Sequence, residues 1–274
     1  MPSSRELEGI AEQLLLLCQQ AGEAVLEIYH GADPVAVEQK QDNSPLTLAD
    51  KLSQQILADG LARLAPQWPV VSEEQALPDF SQRSRWPSYW LLDPLDGTRE
   101  FIERTGEFTI NIALIENHRP ILGMVYIPLE QAAYLGLVDE GRALRIDHEG
   151  RKDIAVSQGG TSIRVLSSRR YGGAELEACM EKLSRHFPAL ERVTAGSALK
   201  FCRLAEGRAD IYPRFAPCCE WDTAAGQAVL EAAGGCLLGL DFKPLQYNQK
   251  PSIINPNFYA LGGKGLRWVD ILKG

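Results

Sequence analysis

The chain has 274 residues, 45% hydrophobic and 23% charged, and its 28 Lys plus Arg against 36 Asp plus Glu leave a net charge of −8. This is the composition of an ordinary globular protein, long enough for one large domain or two smaller ones sharing a core. It excludes a general nucleic-acid binder, which needs a basic face, but leaves a small phosphorylated substrate open because bound cations can reverse the local sign.

The chain opens on a helical pattern. Pro2-Ser3-Ser4 followed by Glu6 resembles a capping box, and Leu7, Ile10, Ala11, Leu14, Leu15, Cys18, Val25 and Ile28 recur at helical spacing. A helix is predicted over about residues 4–30. The longest apolar stretch there, residues 14–18, is far short of a membrane span, and no signal peptide is read. Peripheral association is therefore the only membrane contact expected. Cys18, Cys179, Cys202, Cys218, Cys219 and Cys236 show no C-x-x-C spacing and fit a reducing cytoplasm. The four histidines, His30, His118, His148 and His186, have no ligand spacing and receive no role.

A second helical pattern, Leu48, Leu52, Ile56, Leu57, Leu61 and Leu64, follows Asn43-Ser44-Pro45 and stops before Pro66. Thr47 would cap it, and Asp50 falls at the third position of that box, where a cap alone explains it. From residue 68 short strands take over, at 69–72, 89–93, 109–116, 121–127, 133–138 and 143–146, with Asn117-His118-Arg119-Pro120 and Asp139-Glu140-Gly141 as turns. Strands joined by such turns are antiparallel. The polar stretch 147–161 is the expected boundary between halves 1–150 and 151–274. Beyond it come a strand at 164–167, a helix at about 174–187, another at 197–206, a strand at 210–212 and a small-residue helix at 223–233 that closes on Gly234-Gly235. Helices grouped apart from antiparallel strands indicate an α+β fold, not a Rossmann alternation.

The segment hardest to explain as packing is Asp93-Pro94-Leu95-Asp96-Gly97-Thr98, which follows the apolar run Tyr89-Trp90-Leu91-Leu92. Pro94 fixes φ and removes a donor, so two carboxylates three residues apart can converge where the strand ends. Gly97 lets the backbone approach a ligand, and the Gly97 and Thr98 amides would face an anion. A turn with a helix cap uses the same residue types, but the whole set favours a metal and phosphate site. Glu73 and Glu74 also follow a strand, and Asp222 sits where a helix begins; alone these would be a solvated pair and an N-cap. Together, four carboxylates at element ends with no His or Cys among them form a hard-oxygen set suited to Mg²⁺ and unsuited to zinc.

These residues resemble a known family. Glu73-Glu74, Asp93-Pro94-Leu95-Asp96-Gly97-Thr98 and Trp221-Asp222-Thr223-Ala224-Ala225-Gly226 are similar to the three signatures of the inositol monophosphatase superfamily of metal-dependent, lithium-sensitive phosphatases. Arg99-Glu100-Phe101-Ile102, the run from Gly106-Glu107-Phe108 through Ile115, Gly196-Ser197-Ala198-Leu199-Lys200-Phe201-Cys202 and Tyr212-Pro213-Arg214-Phe215 narrow the resemblance to the bacterial 3'(2'),5'-bisphosphate nucleotidases of the CysQ type. It runs nearly end to end.

The resemblance implies a layered α/β/α/β/α sandwich with two mainly antiparallel sheets, the first half holding most metal ligands and the second holding Asp222 and the nucleotide-recognition segments. It implies that Glu73, Asp93, Asp96, Asp222 and the Leu95 carbonyl bind two or three Mg²⁺ ions. It also implies that Thr98 and Asp50 orient the attacking water, with Glu73 sharing in catalysis. Substrate would meet Glu73, Leu95, Asp96, Gly97, Thr98 and Asp222 at the reacting phosphate, and Ser197, Lys200 and Arg214 at the nucleotide. Arg169 and Arg170, after Ser167-Ser168, fit a phosphate contact and a solvated turn equally.

The implied activity is hydrolysis of 3'-phosphoadenosine 5'-phosphate to AMP, and action on 3'-phosphoadenylyl sulfate, in sulfur assimilation. An inositol or sugar phosphatase of the same superfamily is the nearest rival, against which Tyr212-Pro213-Arg214-Phe215 argues. A silent nucleotide- or metal-binding regulator is the rival of another class, and the four carboxylates joined to Thr98 argue against it. Cys218-Cys219 precede the Asp222 motif as two inert half-buried thiols or, alternatively, as a pair whose oxidation disturbs Asp222.

Overall fold

The structure, a computed structural model, describes residues 2–32, 36–40, 44–169 and 172–273. Helix α1 (Ser4–His30) opens on the expected capping box, with the Ser3 side chain and backbone bonded to Glu6, and buries Leu7, Ala11, Leu14, Cys18, Ala21 and Val25 along one stripe. A small antiparallel pair, β1 (Val37–Gln39) and β2 (Pro45–Thr47), leads into α2 (Leu48–Leu64). Asn43, read as part of that lead, lies outside the described residues.

The first sheet has seven strands in the order β3 (Val70–Ser72), β4 (Ser88–Asp96), β5 (Thr109–Glu116), β6 (Arg119–Ile127), β7 (Ala132–Leu137), β8 (Arg142–Asp147) and β9 (Gly150–Asp153). The short helices α3 (Phe80–Arg83) and α4 (Thr98–Ile102) lie in its connections. Only β3 and β4 pair parallel; the other pairs are antiparallel, as their short turns require. Every residue of β5 is buried, because helices cover both faces of this sheet. Strand β9 falls in the polar stretch read as a boundary, and its four residues are all exposed, so no alternation marks it.

The second sheet has the order β11 (Ala189–Thr194), β10 (Ser162–Ser167), β12 (Ile211–Arg214), β14 (Phe258–Leu261) and β13 (Cys236–Gly239). Helix α5 (Ala174–Ser184) crosses over between β10 and β11, which pair parallel; β10 and β12 are also parallel, while β14 runs antiparallel to both its neighbours. This sheet is therefore mixed, the one departure from two mainly antiparallel sheets, because a helical crossover returns the chain in its original direction.

Five layers result. Helices α1 and α2 pack on one face of the first sheet. Helices α6 (Leu199–Ala205) and α7 (Ala224–Ala232) fill the space between the sheets. Helices α5 and α8 (Trp268–Lys273) cover the far face of the second. This is the expected α+β sandwich. Small residues set its central spacing: a Cβ on Gly123 of β6 would lie 2.6 Å from the Ala228 Cβ, and one on Gly136 of β7 would lie 2.6 Å from the Val229 Cα. Among the described residues no helix is long and apolar enough to cross a membrane.

Candidate active site

Register brings the first two carboxylates together. Ser72 of β3 pairs with Leu92 of the parallel β4, and the Glu73 N–H donates to the Leu92 carbonyl at 3.2 Å, so Glu73 and Asp93 leave neighbouring strands side by side. Strand β4 does not end at Asp93, as expected, but bulges between Asp93 and Asp96 and continues. In the bulge the Leu95 N–H donates to Asp93 Oδ1 at 3.0 Å, and Ser53 of α2 donates to the Pro94 carbonyl at 2.7 Å. Asp222 arrives from the opposite side on a short 3₁₀ turn ahead of α7, its Oδ2 accepting the Cys219 N–H at 2.8 Å.

Glu73, Asp93 and Asp222 each offer an oxygen within 4.8 Å of the others. The Asp93 Oδ2 is buried with no hydrogen-bond partner. Burial, then Glu73, Asp96 and Asp222, push the Asp93 carboxyl well up; burial, then Asp96 and Glu73, do the same to Asp222. An orphaned buried oxygen among mutually repelling carboxylates fits a hard divalent cation, which would fill the missing coordination and offset the charge.

Asp96 stands apart from that trio. Its Oδ2 accepts the Ala198 N–H at 2.6 Å and the Asn111 amide at 3.2 Å. Burial raises its carboxyl to about 6, and the Lys200 ammonium works against that rise. Gly97 is left-handed with φ +95°, and Thr98 begins α4. The Thr98 hydroxyl lies 3.3 Å from the Leu95 carbonyl and 3.1 Å from Asp50 Oδ1. Asp50 is fully buried and burial pushes its carboxyl up, opposed by hydrogen bonds from Thr47 and Thr98.

Ser197, Lys200 and Arg214 join Asp96, Gly97 and Asp222 in lining one cavity of about 120 Å³. The expected helix at 197–206 begins only at Leu199, because Ser197 is left-handed with φ +40° and forms a turn instead. Lys200 is buried with its ammonium 2.7 Å from the Ser197 carbonyl and 3.2 Å from that of Ala195, and burial lowers its pKa to about 8. Arg214 donates to the Ala216 carbonyl at 2.9 Å and the Pro217 carbonyl at 3.0 Å, which fixes the guanidinium. Arg169 pairs with Glu107 at 2.7 Å and is not among the lining residues; Arg170 lies outside the described residues.

Three residues were missed from sequence. Lys40 reaches from the β1–β2 segment to within 2.7 Å of Glu73 and 2.5 Å of Glu74, and nothing local signals a partner more than thirty positions away. Asn111 is a buried amide inside an apolar strand, a signal that was legible. Glu107 bonds to both Arg169 and the Gly196 N–H. Cys218 and Cys219 are free and half-buried, and burial followed by Asp222 pushes the Cys218 thiol up to about 12. That favours inert thiols over redox-sensitive ones.

The Inositol monophosphatase family matches residues 6–266. The chain belongs to that family of metal-dependent phosphatases. Among its relatives is the 3'(2'),5'-bisphosphate nucleotidase CysQ of Escherichia coli strain K12, 44% identical over 247 residues, which are 90% of this chain and 97% of that protein. The crystal structure of CysQ from Bacteroides thetaiotaomicron, described as a bacterial member of the inositol monophosphatase family, matches with a TM-score of 0.79 and 32% identity over 92% of this chain and 97% of that one. A 2'AMP-bound SaIMPase-II matches with a TM-score of 0.73 at 21% identity, covering 97% of this chain and 94% of its own, and so speaks to the fold alone.

Proposed function

We propose that this family member is a Mg²⁺-dependent 3'(2'),5'-bisphosphate nucleotidase that hydrolyses the 3'-phosphate of 3'-phosphoadenosine 5'-phosphate to AMP and phosphate. It also acts on 3'-phosphoadenylyl sulfate, in sulfur assimilation. The observation that carries this is the lining of one cavity, which joins the carboxylates Asp96 and Asp222 to the cations Lys200 and Arg214. A substrate with one phosphate to lose and a second phosphate to be held matches both sets of groups. Identity to bisphosphate nucleotidases over nine-tenths of the chain supports the same choice.

Glu73, Asp93, Asp96, Asp222 and the Leu95 carbonyl would hold two or three Mg²⁺ ions. Divalent cations held there would supply neutralisation of the phosphate oxygens, activation of water at neutral pH and stabilisation of the leaving oxygen. Thr98 orients the water through its hydroxyl oxygen, and the water's proton passes to Thr98 as Thr98 gives its own to the buried Asp50 carboxylate, with Glu73 sharing in catalysis as a metal ligand. The Gly97 and Thr98 amides steady the phosphoryl group while the water oxygen forms the new P–O bond. The ester P–O bond breaks as the new one forms, and the ribose 3'-oxygen leaves as an alkoxide that takes a proton from solvent water. Ser197, Lys200 and Arg214 hold the nucleotide. Labour divides between the halves: residues 1–150 supply most metal ligands and the water-orienting pair, and residues 151–274 supply Asp222 and the nucleotide contacts. The reducing cytoplasm suits six free cysteines, with any membrane contact peripheral.

Phosphate release from 3'-phosphoadenosine 5'-phosphate, 3'-phosphoadenylyl sulfate, inositol 1-phosphate and fructose 1,6-bisphosphate, with Mg²⁺ and then with added lithium, tests this. The two nucleotides should be cleaved fastest and lithium should inhibit. Faster inositol or fructose ester cleavage would make the chain a sugar phosphatase. Nucleotide binding without phosphate release from any substrate would make it a regulator.

A further inference from the structure

Glu107 lies between Gly97 and Gly196, two residues that line the cavity, and has no part in the chemistry above. Its backbone carbonyl packs on the phosphate turn, where a Cβ on Gly97 would come within 2.9 Å of the Glu107 oxygen. The same residue packs on the nucleotide turn, where a Cβ on Gly196 would come within 2.9 Å of the Glu107 Cβ. Its carboxylate then takes two donors. Oε2 accepts the Gly196 N–H at 2.8 Å, and Oε1 accepts Arg169 at 2.7 Å.

The turn that Glu107 grips needs holding. Ser197 sits at φ +40°, a left-handed conformation that a β-carbon disfavours. Glu107 secures the residue before it, and Asp96 secures the residue after it through the Ala198 N–H at 2.6 Å. The carbonyls of this turn in turn hold the Lys200 ammonium. A shift of the turn therefore moves a buried cation and loosens one of the two holds on Asp96, the other being Asn111, while the Glu73, Asp93 and Asp222 trio stands on other elements.

We propose that Glu107 is a positioning residue for nucleotide recognition: it clamps the 195–198 turn, and through it Lys200. This rests on the nucleotidase reading, and it concerns the residues that would select the substrate, not those that would cleave it. The contact depends on the length of the side chain. A glutamine keeps the reach and an acceptor oxygen for Gly196, whereas an aspartate keeps the charge and loses one methylene of reach.

The test compares KM and kcat of Glu107→Ala, Glu107→Gln and Glu107→Asp on 3'-phosphoadenosine 5'-phosphate and on 3'-AMP, which lacks the 5'-phosphate. For Glu107→Ala and Glu107→Asp, KM for the bisphosphate should rise about tenfold, the scale of one lost charge-assisted contact, with kcat within about threefold of wild type. KM for 3'-AMP should barely move. Glu107→Gln should stay within about threefold of wild type on both substrates. If the alanine variant does not fold, the glutamine and aspartate variants carry the same contrast. Wild-type protein that does not prefer the bisphosphate would overturn the nucleotidase reading itself. Given that preference, an aspartate variant matching wild type, or a glutamine variant as impaired as aspartate, would overturn the clamp. A loss confined to kcat would place the effect at the phosphate turn and overturn it as well.

Discussion

Asp50 bonds to Thr98 with one carboxylate oxygen and caps its own helix with the other. Oδ1 accepts the Thr98 hydroxyl at 3.1 Å, while Oδ2 accepts the Thr47 hydroxyl at 2.6 Å and the Thr47 N–H at 2.7 Å. The cap and the proposed water-orienting partner are thus one residue, and the cap aims the oxygen that accepts the Thr98 hydroxyl. Asp50→Asn should lower kcat by about 10²–10⁴-fold, the usual weight of a general base. Thr47→Ala should cost about 1 kcal/mol, as caps do, with a far smaller kinetic effect. Steady-state kinetics beside thermal melts of both variants check this. Two purely thermal phenotypes would leave Asp50 as a cap.

Asp93→Asn should abolish turnover and also change how metal stabilises the fold. The Asp93 Oδ2 is buried, unpartnered and near two other carboxylates, so in EDTA ionising or protonating this carboxyl costs folding free energy. The amide removes that cost, and the variant in EDTA should melt no lower than wild type. Added Mg²⁺ at a hundred times its Kd should stabilise wild type by about 2.7 kcal/mol and the variant by much less. Thermal shift with and without Mg²⁺ measures both. A full Mg²⁺ shift, or full activity, in the variant would remove Asp93 from the metal set.

What could be read from sequence was local. Both capping boxes are four-residue patterns, and both appear where Ser3, Glu6, Thr47 and Asp50 predicted them. The acidic motif was legible because its chemistry is contiguous from Asp93 to Thr98. Strand β11 was not, since it lies at a sheet edge with its residues exposed or half-buried and carries no clean alternation. Strand β14, Phe-Tyr-Ala-Leu, is apolar on both faces and too short to show a period. Within the site, the Asp96 link to Ala198 joins positions more than a hundred apart, and only the packed sheets bring them together.

Gly97→Ala tests the phosphate turn. The left-handed φ of +95° disfavours a β-carbon by about 1–2 kcal/mol, a cost that falls on the turn itself. The added carbon would also meet the Glu107 carbonyl at 2.9 Å, so the turn must move. Displacement by a fraction of an ångström beside the reacting phosphate should lower kcat by about tenfold or more. Wild-type kcat with a lowered melting temperature would separate the turn from the chemistry.

Gly136→Ala should act on the site from a distance. Helix α7 packs so closely on β7 that a Cβ there would lie 2.6 Å from both the Ala228 carbonyl carbon and the Val229 Cα, backbone atoms that cannot rotate away. Overpacking of this kind costs about 1–3 kcal/mol. In a chain this long each kcal/mol lowers Tm by about 2–4 °C. Because Asp222 stands two residues ahead of α7, with Thr223 between them as its N-cap, the helix cannot retreat from β7 without drawing that carboxylate from Glu73 and Asp93. The Mg²⁺ concentration for half-maximal activity should therefore rise while saturating Mg²⁺ restores most of kcat. A lowered Tm with an unchanged Mg²⁺ requirement would show that the 3₁₀ turn holds Asp222 independently of α7.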